Sequence, residues 1–238
     1  MPGLGNTGAA FLQRRPGTVR VKICCIASDA EADLAIDAGA DALGLVSAMP
    51  SGPGPIAEET IESIVRSVGT RAATVLLTSR QDAAGIGAQL DRIGPTVVQL
   101  VDELTERDYA ALRVSHPSVV LMQVIHVRDE GAVREAAAVA PFVDALLLDS
   151  GNPNAAVKEL GGTGRVHDWS VSRAICDAVQ RPVFLAGGLR ADNVAEAVAR
   201  VRPFGVDICS GVRTDGRLDR DKLRAFLHAA RSSLTTGE

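Results

Sequence analysis

Short apolar runs alternate with helical patterns along almost the whole chain. The runs are four to seven residues long and rich in Val, Leu, Ile and Ala, which is typical of strands buried on both faces of a parallel sheet. They predict eight strands, at Val19–Ile23, Ala42–Val46, Ala73–Leu77, Val97–Leu100, Val119–Ile125, Ala145–Leu148, Val183–Ala186 and Val206–Cys209.

The segments between these runs carry helix start signals. Ser28 and Glu31 have the spacing of a capping box, in which each side chain bonds a backbone amide of the first turn. Asp168, Asp192 and Asp219 are each predicted to cap a helix that follows them. Further helices are predicted after Pro55 and, from weaker patterns, over 81–93, 103–115 and 129–140.

Eight strand–helix units in 238 residues predict an α/β fold, a single (β/α)₈ TIM barrel of eight parallel strands. A doubly wound open sheet is the competing interpretation, but it favours fewer units and a glycine-rich turn after the first strand. We assign the barrel domain to residues 19–238. Residues 1–18 are rich in Gly, Pro and Arg without periodicity, which predicts a flexible N-terminal extension.

Composition narrows the class of function. The net charge of −4 argues against a nucleic-acid partner, and no apolar stretch is long enough for a membrane span. The N-terminus lacks the apolar region of a signal peptide, and the four cysteines lack zinc-ligand spacing, so we expect free thiols, a cytoplasmic protein and no catalytic metal. A homodimer is left open.

In a barrel the active site lies at the carboxyl ends of the strands, which limits the candidate residues. Cys24 ends the first strand, and Lys22, two residues earlier, shares its face and would favour a thiolate. Asp149 ends the sixth strand, where partial desolvation suits an acid. The alternative interpretations are a buried inert cysteine and a structural aspartate that bonds loop amides.

Glycines follow the last strands, where barrels commonly bind phosphate. Gly187 and Gly188 follow strand seven, and Ser210 and Gly211 follow strand eight. Glycine lets an anion approach the backbone closely, although glycines also simply form tight turns. The run from 161 to 164, with Gly162 and Gly164, is predicted to add a third wall.

Motifs in this order resemble the phosphoribosylanthranilate isomerase family, the tryptophan-biosynthesis barrel enzymes. The matching segments extend over nearly everything after residue 18: Val21-Lys22-Ile23-Cys24, Ala38-Gly39-Ala40-Asp41-Ala42-Leu43-Gly44, Val98-Gln99-Leu100, Leu147-Leu148-Asp149-Ser150, Gly161-Gly162-Thr163-Gly164, His167-Asp168-Trp169, Ala186-Gly187-Gly188-Leu189 with Asn193-Val194, and Val206-Asp207 leading into Ser210-Gly211-Val212.

The resemblance implies an Amadori rearrangement, which converts an aminoaldose phosphate to an aminoketose phosphate without a cofactor. It implies Cys24 as general base, Asp149 as general acid, and a small phosphorylated substrate held at the glycine turns. Gln99, at the end of strand four, is a candidate substrate contact.

The chain departs from the family pattern at four places. Cys25 replaces the glycine after the catalytic cysteine, Val101-Asp102 replaces a His-Gly pair, and Arg213 replaces a glutamate. Arg213 is a candidate for added positive charge near the phosphate. The family's arginine after strand two is absent from the segment 51–55, so we expect either Arg80 to hold the substrate carboxylate or a different substrate.

Three functions therefore stay open. The first is isomerisation of phosphoribosylanthranilate, and the second is isomerisation of another phosphoribosyl-amine or phosphosugar. The third is non-catalytic binding of a phosphorylated metabolite, against which the presence of both Cys24 and Asp149 argues.

Overall fold

A closed ring of eight parallel strands forms the centre of the molecule, as a computed structural model of residues 5–151 and 167–232 describes it. Each strand pairs with the next along the chain, and β8 pairs with β1. The prediction of a TIM barrel is confirmed. The strands are β1 (Arg20–Ile23), β2 (Ala42–Val46), β3 (Ala73–Thr78), β4 (Val97–Leu100), β5 (Val120–His126), β6 (Ala145–Asp149), β7 (Val183–Leu185) and β8 (Gly205–Ile208).

Helices lie around this ring and at its amino-terminal end. They are α1 (Gly5–Phe11), α2 (Asp29–Ala38), α3 (Glu58–Val68), α4 (Ala83–Ile93), α5 (Glu106–Ser115), α6 (Gly131–Val139), α7 (Trp169–Ala178), α8 (Val194–Val201) and α9 (Arg220–Ser232). A two-stranded hairpin, β9 (Arg213–Thr214) with β10 (Arg217–Leu218), precedes α9. Of these helices, none is long and apolar enough to cross a membrane.

Most helix start signals act as their chemistry predicts. The Ser28 hydroxyl accepts from the Glu31 amide at 3.3 Å, and the Glu31 carboxylate accepts from the Ala27 amide at 3.0 Å. Asp168 and Asp219 cap α7 and α9 in the same way. The prediction for Asp192 is wrong, because Asn193 holds the N-cap position of α8 and Asp192 pairs instead with Arg190.

Side chains alternate along each strand between the barrel interior and the helices, as the pleat of a strand requires. In β3, Val75 and Leu77 belong to the interior cluster, whereas Leu76 packs with the helices. Thr78, of the same parity as Leu76, bonds Gln89 of α4 at 2.7 Å. This alternation decides which side chains reach the mouth of the barrel.

The amino-terminal end of the barrel is closed by α1. Phe11 is buried, and its ring centroid lies 5.0 Å from that of Phe184, which in turn contacts Phe204 at 5.4 Å. The Arg20 guanidinium donates to the carbonyls of Ala10 and Gln13. The sequence does not predict this helix, because one aromatic anchor in a glycine-rich segment gives no periodic signal.

We expect Phe11→Ala to lower the free energy of unfolding by about 3 kcal/mol, because the change leaves a void against Phe184 at the end of the barrel. Urea unfolding measures the difference. Val114→Ala, at a position that is 83% exposed, is the control and should change stability by less than about 0.5 kcal/mol. If residues 1–18 are mobile throughout, Phe11→Ala will behave like this control.

Candidate active site

A cavity that is open to solvent lies at the carboxyl ends of the strands. Cys24 and Asp149 both line it, although they come from β1 and β6 on different sides of the ring. Gln99 also lines it, as do the four residues of the predicted phosphate cup, Gly187, Gly188, Ser210 and Gly211. The structure therefore brings the predicted base, acid and anion site to one pocket.

A buried ion pair lies beneath Cys24. The Lys22 side chain is fully buried, and its Nζ donates to Asp207 Oδ1 at 2.8 Å. Burial lowers the pKa of Lys22, but the Asp207 carboxylate and the Cys24 thiolate outweigh it and hold the pKa above its usual value. Lys22 is not among the residues that line the cavity.

The Cys24 thiol and the Lys22 ammonium lie against the same glycine. A Cβ at Gly44 would be 2.8 Å from Cys24 Sγ and 3.0 Å from Lys22 Nζ. The neighbouring Cys25 thiol lowers the pKa of Cys24, burial opposes this shift, and the charge of Lys22 adds to it. Cys24 therefore ionises more readily than an ordinary thiol, and the thiolate is the form that acts as a base or nucleophile.

Asp149 ends β6 with its side chain almost buried at the cavity wall. Its Oδ1 accepts from the Ser150 amide at 2.7 Å. The buried ring of His126 and the half-buried ring of His167 lie within its electrostatic reach: burial lowers the pKa of each imidazole, and the Asp149 charge opposes that shift. Neither histidine is among the site residues that the sequence predicts.

The phosphate cup has the backbone that close approach of an anion needs. Gly187 and Gly188 have φ values of 81° and 64°, in the region that favours glycine. A Cβ at Gly211 would lie 2.5 Å from the Leu189 carbonyl oxygen, so the two loops approach too closely for a side chain. The predicted third wall, with Gly162 and Gly164, lies outside the described residues.

Arg80 is placed away from the cavity. It has the strand parity of Thr78, which faces α4, so its guanidinium lies on the outside, 3.8 Å from Glu58. The side chain is about half exposed. Gln99 is in the predicted place, buried at the cavity floor, with no hydrogen-bond partner for its Oε1 among the described residues.

Arg213 forms an ion pair with Glu31. Its guanidinium bonds both carboxylate oxygens of Glu31, at 2.9 and 3.0 Å, and the Cys25 carbonyl. Burial raises the pKa of Glu31, but Arg213 and backbone amides more than reverse that shift. The expected extra charge near the phosphate is therefore neutralised by Glu31.

Cys25 has a backbone conformation that is unusual for a cysteine. It lines the cavity beside Cys24, with φ at 62°, and Gly54 leaves space for its side chain. Its thiol donates to the Pro53 carbonyl oxygen, with Sγ and O 3.6 Å apart, and the neighbouring thiols of Cys209 and Cys24 raise its pKa. Across residues 5–151 and 167–232, no cluster of three or more His, Cys, Asp or Glu side chains is arranged to hold a metal ion.

Comparison with known proteins agrees with this geometry. Residues 21–229 match the family described as N-(5'phosphoribosyl)anthranilate (PRA) isomerase. An N-(5'-phosphoribosyl)anthranilate isomerase 2 of Methanosarcina mazei is 36% identical, with 90% of this chain and 95% of the relative covered. A relative from Haloferax volcanii, named N-(5'-phosphoribosyl)anthranilate isomerase, is 37% identical, with 90% and 94% covered.

Solved structures give the same result. The phosphoribosyl anthranilate isomerase of Thermotoga maritima is 28% identical and superposes with a TM-score of 0.75, over 90% of this chain and all of that one. Another solved phosphoribosyl anthranilate isomerase, 26% identical with a TM-score of 0.73 over the same shares, is in complex with reduced 1-(o-carboxyphenylamino)-1-deoxyribulose 5-phosphate. The chain belongs to the N-(5'-phosphoribosyl)anthranilate isomerase family, the aldose–ketose isomerases of tryptophan biosynthesis.

Proposed function

We propose that this chain catalyses the Amadori rearrangement of N-(5'-phosphoribosyl)anthranilate with Cys24 as general base and Asp149 as general acid. One observation carries the proposal: the thiol and the carboxyl group line one cavity, beside glycine turns suited to a phosphate. Family membership supplies the reaction class, and the solved relative with a reduced carboxyphenylamino-deoxyribulose phosphate shows a compound of this chemistry bound to the fold.

In the first step Asp149 donates a proton to the ribose ring oxygen, and the bond from that oxygen to C1 breaks. The amine nitrogen lone pair forms the new double bond to C1, which gives a protonated Schiff base. Cys24 then removes the proton from C2, the released electron pair forms a C1–C2 double bond, and the π pair of the C1–N bond returns to the nitrogen. The resulting enolamine tautomerises to the ketone. Each positioned acid or base contributes about 10²–10⁴-fold to the rate.

Lys22 and Asp207 support the second step through their charges. The Lys22 ammonium stabilises the negative charge of the Cys24 thiolate, and Asp207 in turn keeps that ammonium charged although it is fully buried. Lys22 is not among the residues that line the cavity, whereas Asp207 reaches its wall, and Cys24 itself lines the cavity and can face C2 of the sugar.

The phosphate cup supplies binding energy far from the reacting carbons. Its backbone holds the terminal phosphate between the β7 and β8 loops, which fixes the sugar along the cavity with C1 and C2 toward Cys24 and Asp149. Binding a non-reacting group in this way restricts motion and lowers the barrier at the reacting one.

A second candidate substrate is a phosphoribosyl compound of a different amine. Among the described residues that line the cavity none is Lys or Arg, and the rim after β2 presents Met49, Ser51, Gly52 and Pro53. An aryl carboxylate has no ion-pair partner among them. Comparison of kcat/KM for N-(5'-phosphoribosyl)anthranilate and for its aniline analogue separates the two candidates, because a preference for the neutral amine favours the second.

We expect Cys24→Ala and Asp149→Asn each to reduce kcat for N-(5'-phosphoribosyl)anthranilate at least about 100-fold, because each removes a proton-transfer group. The loss of substrate fluorescence measures turnover. Cys176→Ala, on α7, and Asp221→Asn, on α9, are the matched controls and should keep the full rate. Full activity in either cavity variant contradicts the assigned mechanism.

The pH profile of kcat/KM should rise as Cys24 loses its proton, with a midpoint below that of an ordinary thiol, because the pKa of Cys24 is lowered. Lys22→Met removes a stabilising charge and should move the midpoint to higher pH. Lys222→Met removes an exposed charge from α9 and is the control. If the pH midpoint of kcat/KM is unchanged in folded Lys22→Met, the Lys22 ammonium does not act on Cys24.

Gly211→Ala should weaken inhibition by inorganic phosphate about tenfold or more, because the new Cβ forces the β7 and β8 loops apart. Ser210→Ala keeps the backbone and should change the inhibition constant far less. Inhibition constants from steady-state kinetics measure both. Unchanged phosphate inhibition in Gly211→Ala places the phosphate elsewhere.

A further inference from the structure

Arg213 links two loops at the mouth of the barrel. It directly follows the turn Ser210–Val212 of the phosphate cup, whereas its partner Glu31 lies in the first turn of α2, on the loop side of Cys24. The guanidinium bonds both carboxylate oxygens of Glu31, at 2.9 and 3.0 Å. The two side chains are only 11% and 16% exposed, so the ion pair is shielded from the solvent that weakens most surface pairs.

The other bonds of the Arg213 guanidinium show what holds it in place. It donates to the carbonyl oxygen of Cys25, the residue after the proposed base, and to that of Gly216 in the turn of the hairpin. Its Nε is buried without a hydrogen-bond partner among the described residues. An unpaired buried donor costs free energy, so the bonds to Cys25, Gly216 and Glu31 outweigh that cost and fix the side chain.

Glu31 completes the connection between the loops. One of its carboxylate oxygens accepts from the Leu218 amide in the hairpin, and the other accepts from the Ala27 amide after β1, each at 3.0 Å. Hydrogen bonds to a charged acceptor are stronger than those between neutral groups. Together with Arg213, the carboxylate therefore fastens residues 25–27 to the hairpin of β9 and β10.

The backbone does not make this connection by itself. The ladder between β1 and β8 ends where the Cys24 amide donates to the Ile208 carbonyl oxygen, at 2.8 Å. Beyond that point no backbone–backbone hydrogen bond joins residues 25–28 to residues 209–218, all of which the structure describes. The hydrogen bonds between these two loops therefore come from the ion pair.

Cys25 is the part of the β1 loop that most needs such support. Its φ of 62° is left-handed, a conformation that costs a residue with a Cβ free energy and persists only where the surrounding structure fixes it. Arg213 bonds its carbonyl oxygen, and its thiol donates to the Pro53 carbonyl oxygen. Because Cys24 directly precedes this strained residue, the direction of the Cys24 side chain depends on the turn that Arg213 holds.

We propose that Arg213 is a positioning residue that holds the Cys24 thiol and the phosphate cup at a fixed separation. The inference rests on the proposed function, since it concerns the base and the anion site of that reaction. A phosphate at Ser210 and Gly211 lies just before Arg213 along the chain, and Cys24 lies just before the carbonyl that Arg213 bonds. The fixed separation places C2 of the bound sugar at the sulfur, so binding energy gained at the phosphate lowers the barrier at the reacting carbon.

Substitution of Arg213 tests the inference through a split between kcat and phosphate affinity. In Arg213→Met we expect kcat for N-(5'-phosphoribosyl)anthranilate to fall about tenfold or more, because the base is displaced relative to the bound sugar. The inhibition constant of inorganic phosphate should stay within about twofold, because glycine backbone of the β7 and β8 loops forms the cup. Both constants are measured below the unfolding temperature of each variant.

Two further variants separate positioning from stability. Arg213→Lys keeps a cation beside Glu31, so it decides the question if Arg213→Met does not fold, and it should also lose most of kcat because it lacks the planar fork. Arg113→Met is the matched control, since Arg113 bonds the Asp144 carboxylate and the Phe142 carbonyl just before β6, at the other end of the barrel. It should lower the unfolding temperature and keep kcat within about twofold.

Amide hydrogen exchange tests the same connection without turnover. Saturating inorganic phosphate should slow the exchange of residues 209–213 in both the parent and Arg213→Lys. It should slow the exchange of residues 25–27 in the parent alone, because the variant lacks the bonds that join the two loops. Peptide mass spectrometry follows both segments.

The outcomes distinguish the inference from the proposed function. Parent-like kcat in the folded Arg213 variants, an equal loss of phosphate affinity, or no phosphate-dependent protection of residues 25–27 in the parent overturns the inference. Protection that depends on Arg213, in a protein that does not turn over N-(5'-phosphoribosyl)anthranilate, supports the inference and contradicts the proposed function. A lower kcat with an unchanged phosphate inhibition constant, together with that protection, supports both.

Discussion

The buried ion pair of Lys22 and Asp207 is the interaction on which the rest of the structure depends. It joins β1 to β8, the first strand to the last, so it lies where the ring of strands closes. A fully buried ammonium without a partner costs several kcal/mol, so only the register that sets these two residues side by side is acceptable. The same pair sets the charge beneath Cys24, so barrel closure and the state of the thiol are coupled.

Because side chains alternate along the strands, the register that this ion pair sets also decides which residues reach the mouth of the barrel. Lys22 and Cys24 share the inward face of β1, and Leu77 is the last inward residue of β3. A shift of one residue would turn Cys24 toward α2 and bring an apolar neighbour to the cavity. The precision of the site therefore comes from strand register, whereas its chemistry comes from residues at the strand ends.

Much of this could be predicted from the sequence, because it depends on local patterns. The apolar runs located all eight strands to within about a residue or two, since buried parallel strands are continuous in the sequence. Strand-end positions also identified Cys24, Asp149 and the glycine turns as cavity residues.

What the sequence missed depends on distant contacts or on unusual backbone. The partner of Lys22 lies 185 residues away, and no local signal links them. Arg80 was expected at the cavity from its position after β3, but its guanidinium lies beside Glu58. The direction of its side chain depends on where β3 ends, which the sequence does not locate to the residue. Cys25 is left-handed, which no propensity predicts for a cysteine.

Gly44 has a consequence for the evolution of the site. It supplies no side chain, yet the thiol and the ammonium both occupy the space that its missing methyl group would fill. Even alanine there would push apart the base and the cation that stabilises it. A tightly constrained position next to the base is thus one that contributes no functional group, and a mutational survey limited to reactive side chains would overlook it.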